Sequence, residues 1–315
     1  MLKILFMGTP DFAECSLRAL VENKMDVCGV FTKPDTQKGR GMKLQVSDVK
    51  RYALEANLDI YQPETLRDGA VMDILTKLSP DVIVVVAYGK ILPEYVLKFP
   101  KYGCINVHGS LLPEYRGASP IQSAVIDGKK VTGVTTMYMA DGIDTGDILL
   151  SREYEIGENI TTGEAFDDLA KIGAELLIET LSGLENGTIT PIKQDDSKAT
   201  YASKITKDDC CISFDENMQT VHNRIRGLYP FPGAFCYHNG KVLKLCESRL
   251  YRNNVKQDAK IGEVIDLSKN GVLVKCREGA VLLTKLKPEG KGIMNAWDLI
   301  NGRKIALGDV LTPSL

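Results

Sequence analysis

The sequence predicts an α/β protein: a Rossmann-like parallel sheet with helices on both faces, followed by a smaller all-β domain. Three observations carry this. Up to about residue 184, apolar β-rich runs alternate with stretches of helical spacing. The clearest run is Asp81-Val82-Ile83-Val84-Val85-Val86-Ala87-Tyr88, continuous and β-branched between Pro80 and Gly89, as a strand buried on both faces of a parallel sheet requires. Beyond about residue 208 the pattern changes to short strands separated by Asn239-Gly240, Lys269-Asn270-Gly271 and Glu278-Gly279, which are hairpin signals. Between these regions, residues 188–207 are polar and lack a long apolar run. The resulting division is a first domain over 1–188, a linker over 189–207 and a second domain over 208–315.

Taken in order, residues 2–7 form a short apolar strand ending in Gly8-Thr9-Pro10. Those three residues read as a tight strand-to-helix turn, since the Gly-x-Gly-x-x-Gly spacing of a dinucleotide site is missing. Phe12, Cys15, Leu17 and Leu20 repeat at helical spacing over 11–21, and 26–32 is a second strand. Residues 46–58 and 69–78 are helical. After the buried strand at 81–88 comes another at 104–108. Ser119-Pro120 reads as an N-cap with proline at the first helical position, opening a helix over 121–126. Residues 134–139 and 147–156 alternate as strands, and 161–184 is a long amphipathic helix stopped near Asn186-Gly187. Gln194-Asp195-Asp196-Ser197-Lys198 reads as exposed linker. A helix around 217–228 precedes the short strands.

Composition excludes several classes. No apolar run approaches the roughly 18 residues of a membrane-crossing helix, and the first residues run directly into a strand pattern rather than a leader. This places the protein in the cytoplasm. Eight cysteines suggest neither zinc nor disulfides: there is no Cys-x-x-Cys, and Cys210-Cys211 are adjacent. Cys15, Cys28, Cys104 and Cys246 read as small core residues. The net charge of −2 is unevenly spread. Residues 1–205 hold 22 basic against 29 acidic side chains, and residues 206–315 hold 17 against 12, a basic tail compatible with a polyanionic partner.

The chemistry concentrates at Cys104-Ile105-Asn106-Val107-His108-Gly109-Ser110-Leu111-Leu112-Pro113. Residues two apart on a strand share a face, so Asn106 and His108 project together just before Gly109. An amide donor beside an imidazole at a strand's carboxyl end can stabilise an oxyanion and handle a proton. A second cluster, Asp141-Gly142-Ile143-Asp144-Thr145-Gly146-Asp147, has its acids spaced by three. An EF-hand calcium loop spaces them by two, so no metal is expected; the residues alone do not choose among the three aspartates. Lys33-Pro34-Asp35-Thr36-Gln37-Lys38-Gly39-Arg40-Gly41-Met42-Lys43 is a long basic connection rich in glycine, suited either to solvent or to phosphates.

Asn106-Val107-His108 with Ser110-Leu111-Leu112-Pro113, followed at a distance by the acidic loop, resembles the signature of formyltransferases that use 10-formyltetrahydrofolate. The whole chain, tail included, resembles the branch of that family acting on initiator methionyl-tRNA. The resemblance implies that Asn106, His108 and Asp144 are catalytic. It implies that Ser110, Leu111, Leu112, Pro113, Tyr88 and Gly89 contact 10-formyltetrahydrofolate, and that Lys38, Arg40 and Lys43 engage the acceptor end of the tRNA. It further implies that the tail is an OB-like barrel binding tRNA. Formyl transfer requires no metal, and the protein is expected to act as a monomer. Gly227-Leu228-Tyr229-Pro230-Phe231-Pro232-Gly233-Ala234-Phe235 also resembles the family, although Trp often stands where Phe231 does. Tyr115-Arg116-Gly117 borders the expected site, with Arg116 read as a site residue or a solvated charge. Lys241, Lys244, Arg249 and Arg252 are basic positions in the tail where phosphates could bind.

Two competing functions follow from the same residues. One keeps the site with a different acceptor: an amino sugar nucleotide, glycinamide ribonucleotide, or water. The other is a non-catalytic RNA-binding module whose barrel is the working part. The complete Asn106, His108 and Asp144 set favours an enzyme, and the basic loop and tail favour tRNA over a sugar.

Overall fold

The computed structural model describes residues 1–38, 43–255 and 258–314. The chain forms two compact units. One comprises residues 1–117, 133–154 and 166–201; the other comprises 118–132, 155–165 and 202–315.

The elements of the first region run β1 (Lys3–Gly8), α1 (Asp11–Glu22), β2 (Asp26–Phe31), β3 (Thr36–Lys38), β4 (Lys43–Gln45), α2 (Asp48–Glu55), β5 (Ile60–Tyr61), α3 (Met72–Leu78), β6 (Val82–Val86), α4 (Glu94–Leu97), β7 (Cys104–His108), β8 (Arg116–Gly117), α5 (Pro120–Ile126), β9 (Val131–Tyr138), β10 (Ile148–Glu155) and α6 (Thr162–Glu185). The main sheet has the order β10-β9-β7-β6-β1-β2-β5. β1 pairs in parallel with β2 and β6, β2 with β5, and β6 with β7. β9 breaks the run by pairing antiparallel to β7, so the sheet is mixed rather than wholly parallel. Strand order reverses between β1 and β6, and the carboxyl ends beside such a switch are where open α/β sheets bind ligands.

Local sequence explains most boundaries. All five residues of β6 are buried, as its continuous β-branched run requires. At Gly8 an added Cβ would fall 2.7 Å from the Ala13 Cβ, so glycine permits the close approach of β1 to α1. α2 starts at Ser47, whose hydroxyl accepts from Lys50 N at 3.0 Å. α3 begins three residues later than Gly69 and stops at Ser79, which is left-handed at φ +43° before Pro80. α6 opens with a capping box: Glu164 Oε2 accepts from Thr161 N at 2.8 Å and Glu164 N donates to Thr161 Oγ1 at 3.3 Å. Ser119 stands at the N-cap of α5 with Pro120 following, but its side chain makes no capping bond. The basic connection after β2 contains a structured stem, with Lys38 paired to Lys43 across β3 and β4.

The chain continues through β11 (Tyr201–Ala202), which pairs with β8, and α7 (Met218–Gly227). β12 (Ala234–His238), β13 (Lys241–Tyr251), β14 (Val264–Ser268), β15 (Gly271–Lys275), β16 (Ala280–Pro288), β17 (Met294–Asn295) and α8 (Ala296–Asn301) complete it. The strands form an antiparallel sheet of order β12-β13-β16-β15-β14, with β17 on β16. Asn239 and Gly240 both have positive φ, +48° and +71°, giving the two-residue turn that their sequence signals. The last residues meet both edges of this sheet. Thr312 exchanges two backbone bonds with Tyr237 of β12, Leu311 N donates to Gly262 O, and Val264 N of β14 donates to Asp309 O. The terminal segment thereby closes the sheet and leaves neither edge open at these positions. Its interior packs Ile212, Phe214, Val221, Ile225, Leu245, Val272, Val281 and Leu283 into one apolar cluster.

Among the described residues no helix is long and apolar enough to cross a membrane. Cys104 and Cys246 are buried as core residues, whereas Cys15 and Cys28 are half-buried. Burial pushes the Cys104 thiol up to about 12, which keeps it protonated and unreactive.

Candidate active site

His108 is the last residue of β7, which flanks β6 on the side away from the strand-order switch, and only 6 % of its side chain is exposed. Its Nε2 lies 3.0 Å from Tyr115 O. A carbonyl only accepts, so in the neutral ring Nε2 carries the proton and the lone pair resides on Nδ1. Nδ1 faces Asp144 Oδ2 at 3.6 Å, too far for a direct hydrogen bond. The tautomer thus leaves a basic nitrogen beside an acid. Of the acids at 141, 144 and 147, it is Asp144 that the fold sets against the histidine.

Asp144 is itself held in place. It is left-handed at φ +51°, a conformation that costs an ordinary residue energy but is tolerated by aspartate. Its Oδ2 accepts from Gly117 N at 2.8 Å. At Gly146 a Cβ would fall 1.8 Å from Tyr138 O, so only glycine allows the loop to return against β9.

Asn106 is half-buried, two residues before His108 on β7, in register with Val85 on one side and Met137 on the other. Strand alternation puts it on the face of His108. The following loop is pinned from within: Ser110 Oγ donates to Glu114 O at 2.6 Å, and Thr135 Oγ1 donates to Ser110 O at 2.7 Å and accepts from Leu112 N at 3.2 Å. Ser110 and Leu112 are buried, while Leu111 and Pro113 are partly exposed. The Leu112–Pro113 peptide is cis.

Tyr88 is in the core with Leu5, Met7 and Phe31. Among the described residues its hydroxyl has no hydrogen-bond partner, and burial pushes its pKa up to about 12. Its backbone faces the loop after β1, where Thr9 Oγ1 donates to Tyr88 O at 3.2 Å. Gly89 has φ +71°, and a Cβ there would fall 2.3 Å from Lys33 Nζ. Of the expected tRNA-contacting residues, Arg40 lies outside the described residues. Lys38 and Lys43 are described by their backbone pairing alone.

One open alternative is decided and one expectation is corrected. Arg116 is not a solvated charge: it is 2 % exposed, with Nε and Nη2 donating to Gln194 Oε1 at 3.1 and 2.8 Å and Nη2 donating to Asp196 Oδ1 at 2.7 Å. Nor is Gln194 exposed linker. It is 6 % exposed, and its Nε2 donates to Asp144 O at 2.8 Å and Gly146 O at 2.7 Å. A polar string far downstream of the site carries no local signal that one of its members is buried; only the fold brings it there. In the tail, Arg249 pairs with Glu247 at 2.8 Å and Arg252 pairs with Glu158. Lys241 and Lys244 are exposed, and Lys244 stands directly opposite Lys287 across β13 and β16.

Comparison with known proteins identifies the family. Residues 2–181 match the family model described as formyl transferase, and residues 204–304 match the formyl transferase C-terminal domain. The methionyl-tRNA formyltransferase of Clostridium novyi (strain NT) is 47 % identical over 311 residues, covering 98 % of this chain and 100 % of that protein. That of Clostridium tetani (strain Massachusetts / E88) is 45 % identical over 312 residues, covering 99 % and 100 %. Among solved structures, WlaRD, a sugar 3N-formyl transferase in the presence of dTDP and 5-N-formyl-THF, superposes with a TM-score of 0.68 at 20 % identity, over 93 % of this chain and 99 % of that one. An N-formyltransferase from Helicobacter canadensis in complex with folinic acid and dTDP-3-aminofucose gives 0.66 at 19 % identity, over 90 % and 99 %. Those two likenesses establish the fold, and the full-length identities establish the kinship: the chain belongs to the formyltransferase family, among the methionyl-tRNA formyltransferases.

Proposed function

We propose that this protein transfers the formyl group of 10-formyltetrahydrofolate to the amino group of initiator methionyl-tRNA. The observation that carries the reading is the 47 % identity to a methionyl-tRNA formyltransferase over essentially both whole chains, tail included. An amino sugar acceptor is disfavoured, because the sugar formyltransferases share only 20 % and 19 % of positions.

The donor set suits the chemistry. The co-substrate supplies an activated formyl carbon; the bond from the methionyl nitrogen to that carbon forms, and the bond from the carbon to folate N10 breaks. The amine must lose a proton, and Nδ1 of His108 holds the lone pair to take it. Asp144, 3.6 Å away, stabilises the imidazolium so formed. His108 then returns the proton toward the departing N10. The Asn106 amide donates to the oxygen on which negative charge develops; removing one such donor typically costs ~3 kcal/mol in barrier. No covalent enzyme intermediate and no metal enters these steps.

In this reading residues 1–188 are the catalytic domain, 189–207 the linker and 208–315 the tRNA-binding barrel. Ser110, Leu111, Leu112, Pro113, Tyr88 and Gly89 wall the folate site, the buried Tyr88 acting through its backbone. Lys38, Arg40 and Lys43 meet the acceptor end of the tRNA. The protein works as a monomer in the cytoplasm. The test incubates purified protein with 10-formyltetrahydrofolate and charged initiator tRNA, and measures formyl-methionine after hydrolysis of the tRNA ester. Turnover on tRNA and little on an amino sugar nucleotide is expected. Formyl transfer to the sugar, or to water alone, would overturn the acceptor.

A further inference from the structure

The neutral Gln194 amide has no obvious reason to be buried under a catalytic loop, 50 residues from Asp144 in the chain. All of its strong hydrogen-bonding capacity is spent. Both Nε2 hydrogens go to backbone carbonyls of the acidic loop, at Asp144 and Gly146, and Oε1 receives two bonds from Arg116. Flipping the amide would set an oxygen against two carbonyls and an NH2 group against a guanidinium, so only one orientation is allowed. Arg116 is anchored a second time by Asp196.

The same stretch grips the other half of the pair. Thr200 Oγ1 accepts from Tyr115 N at 2.8 Å, and Thr200 O accepts from Arg116 N at 2.9 Å. Tyr115 is left-handed at φ +59°, and its carbonyl fixes Nε2 of His108. Residues 194–200 therefore hold the backbone on both sides of the gap between His108 and Asp144. Two left-handed residues, each in a conformation that needs external support, are secured by one polar segment.

We infer that Gln194 and Arg116 are positioning residues for the His108–Asp144 pair, setting the reach of the carboxylate to Nδ1 without touching substrate. This rests on the formyl-transfer reading, so the test includes a readout that needs no turnover. Gln194→Met keeps the length of the side chain and removes both donors. Its kcat for formylation is expected to fall about 30-fold or more, with KM for tRNA and folate within about threefold of wild type. In the substrate-free protein, labelled with 15N-histidine, the ring resonances of His108 should move while those of His222 and His238 stay. A kcat within about threefold of wild type overturns the inference. So does a joint loss of kcat and affinity with His108 resonances unchanged, the mark of a general structural role.

If Gln194→Met does not fold, Asp196→Ala at the exposed end of the network decides. A smaller movement of the His108 resonances, with a small fall in kcat, supports the inference; resonances and kcat identical to wild type overturn it. Should the wild-type protein formylate no tRNA, the functional reading fails while the resonance comparison still tests the positioning.

Discussion

Two buried histidines, one in each unit, separate chemistry from architecture. His222 sits on α7 with both ring nitrogens occupied: Nδ1 lies 2.9 Å from Ser248 Oγ and Nε2 lies 3.0 Å from Glu158 O. His108 has a comparable carbonyl partner on Nε2, but among the described residues its Nδ1 faces only a carboxylate at 3.6 Å. Burial alone does not distinguish them, since both side chains are almost entirely enclosed. Unspent hydrogen-bonding capacity does. A histidine whose two nitrogens are already satisfied stabilises the fold, whereas one with a lone pair beside an acid is prepared to move a proton.

The sharpest way to break this comparison is to replace each in turn. His108→Ala should lower kcat/KM for formylation about 10³-fold, within the usual range for loss of a general acid–base, while tRNA affinity by filter binding survives. His222→Gln retains a donor for Glu158 O and an acceptor for Ser248, and should leave kcat within about twofold. A His222 variant as inactive as the His108 variant would show that unspent capacity is not what distinguishes the two.

The next effect concerns the loop that presents the carboxylate. Gly146→Ala would place a methyl 1.8 Å from Tyr138 O, a backbone clash that no side-chain rotation relieves. The loop must shift, and the gap between Asp144 and His108 with it. We expect at least a 10²-fold loss of kcat, since small misplacements of catalytic groups carry that cost, together with a destabilisation of about 1–3 kcal/mol in urea. Gly187→Ala, at a position where no non-neighbouring atom of the described residues lies within 4 Å of the added carbon, should cost only the strain of its positive φ and leave kcat unchanged.

These contrasts follow what the sequence makes legible. The buried β6, the Asn239-Gly240 turn and the shared face of Asn106 and His108 are local or short-period patterns, and each can be read without knowing the fold. The Rossmann-like sheet and the all-β tail follow from them. The antiparallel β9 is not readable, because strand direction depends on how the connection after α5 returns. The pairing of β3 with β4 was hidden in a run that reads as loop. Gln194 was misread, and Arg116 was left open between a site residue and a solvated charge, because polar residues in a turn-rich stretch are exposed by default; their burial depends on a network assembled from residues 116, 144, 146, 194 and 196, which the sequence scatters. Asp144 could be chosen over Asp141 and Asp147 only through family resemblance, until the fold set it opposite Nδ1.

The basic surface of the second unit provides a third contrast, between paired and unpaired lysines. Lys244 and Lys287 lie opposite each other on β13 and β16, a like-charge pair that by itself weakens a sheet. Neither has an ion-pair partner among the described residues, unlike Lys285, which meets Glu247 at 2.8 Å. A phosphate backbone would relieve the repulsion. The double change Lys244→Gln with Lys287→Gln should weaken tRNA binding about tenfold at low salt and reduce the slope of log affinity against log salt by about 2. Single-turnover transfer at saturating tRNA should be preserved, which separates attachment from chemistry. An unchanged salt slope would remove these lysines from the tRNA surface.

The smallest effect sharpens the histidine comparison through pH. Desolvation, the largest influence on His222, pushes its pKa below the ordinary value of 6.5, with the nearby Arg226 and Arg249 acting in the same direction. The folded protein therefore keeps this ring neutral at pH values where the unfolded chain takes up a proton. Stability rises with pH wherever the unfolded state binds more protons. The contribution of His222 is thus complete above about pH 6.5 and is lost as pH falls from there through the depressed folded value. Urea midpoints for wild type should decline between pH 6.5 and 5, before most carboxylates titrate. In His222→Gln, which has the same two hydrogen bonds available and no titrating ring, the decline should be shallower. Parallel curves would mean that the ring accepts its proton as readily in the fold as outside it. The burial of His222 and the nearness of Arg226 and Arg249 argue against that, because together they outweigh the Glu158 carbonyl, which favours the charged ring.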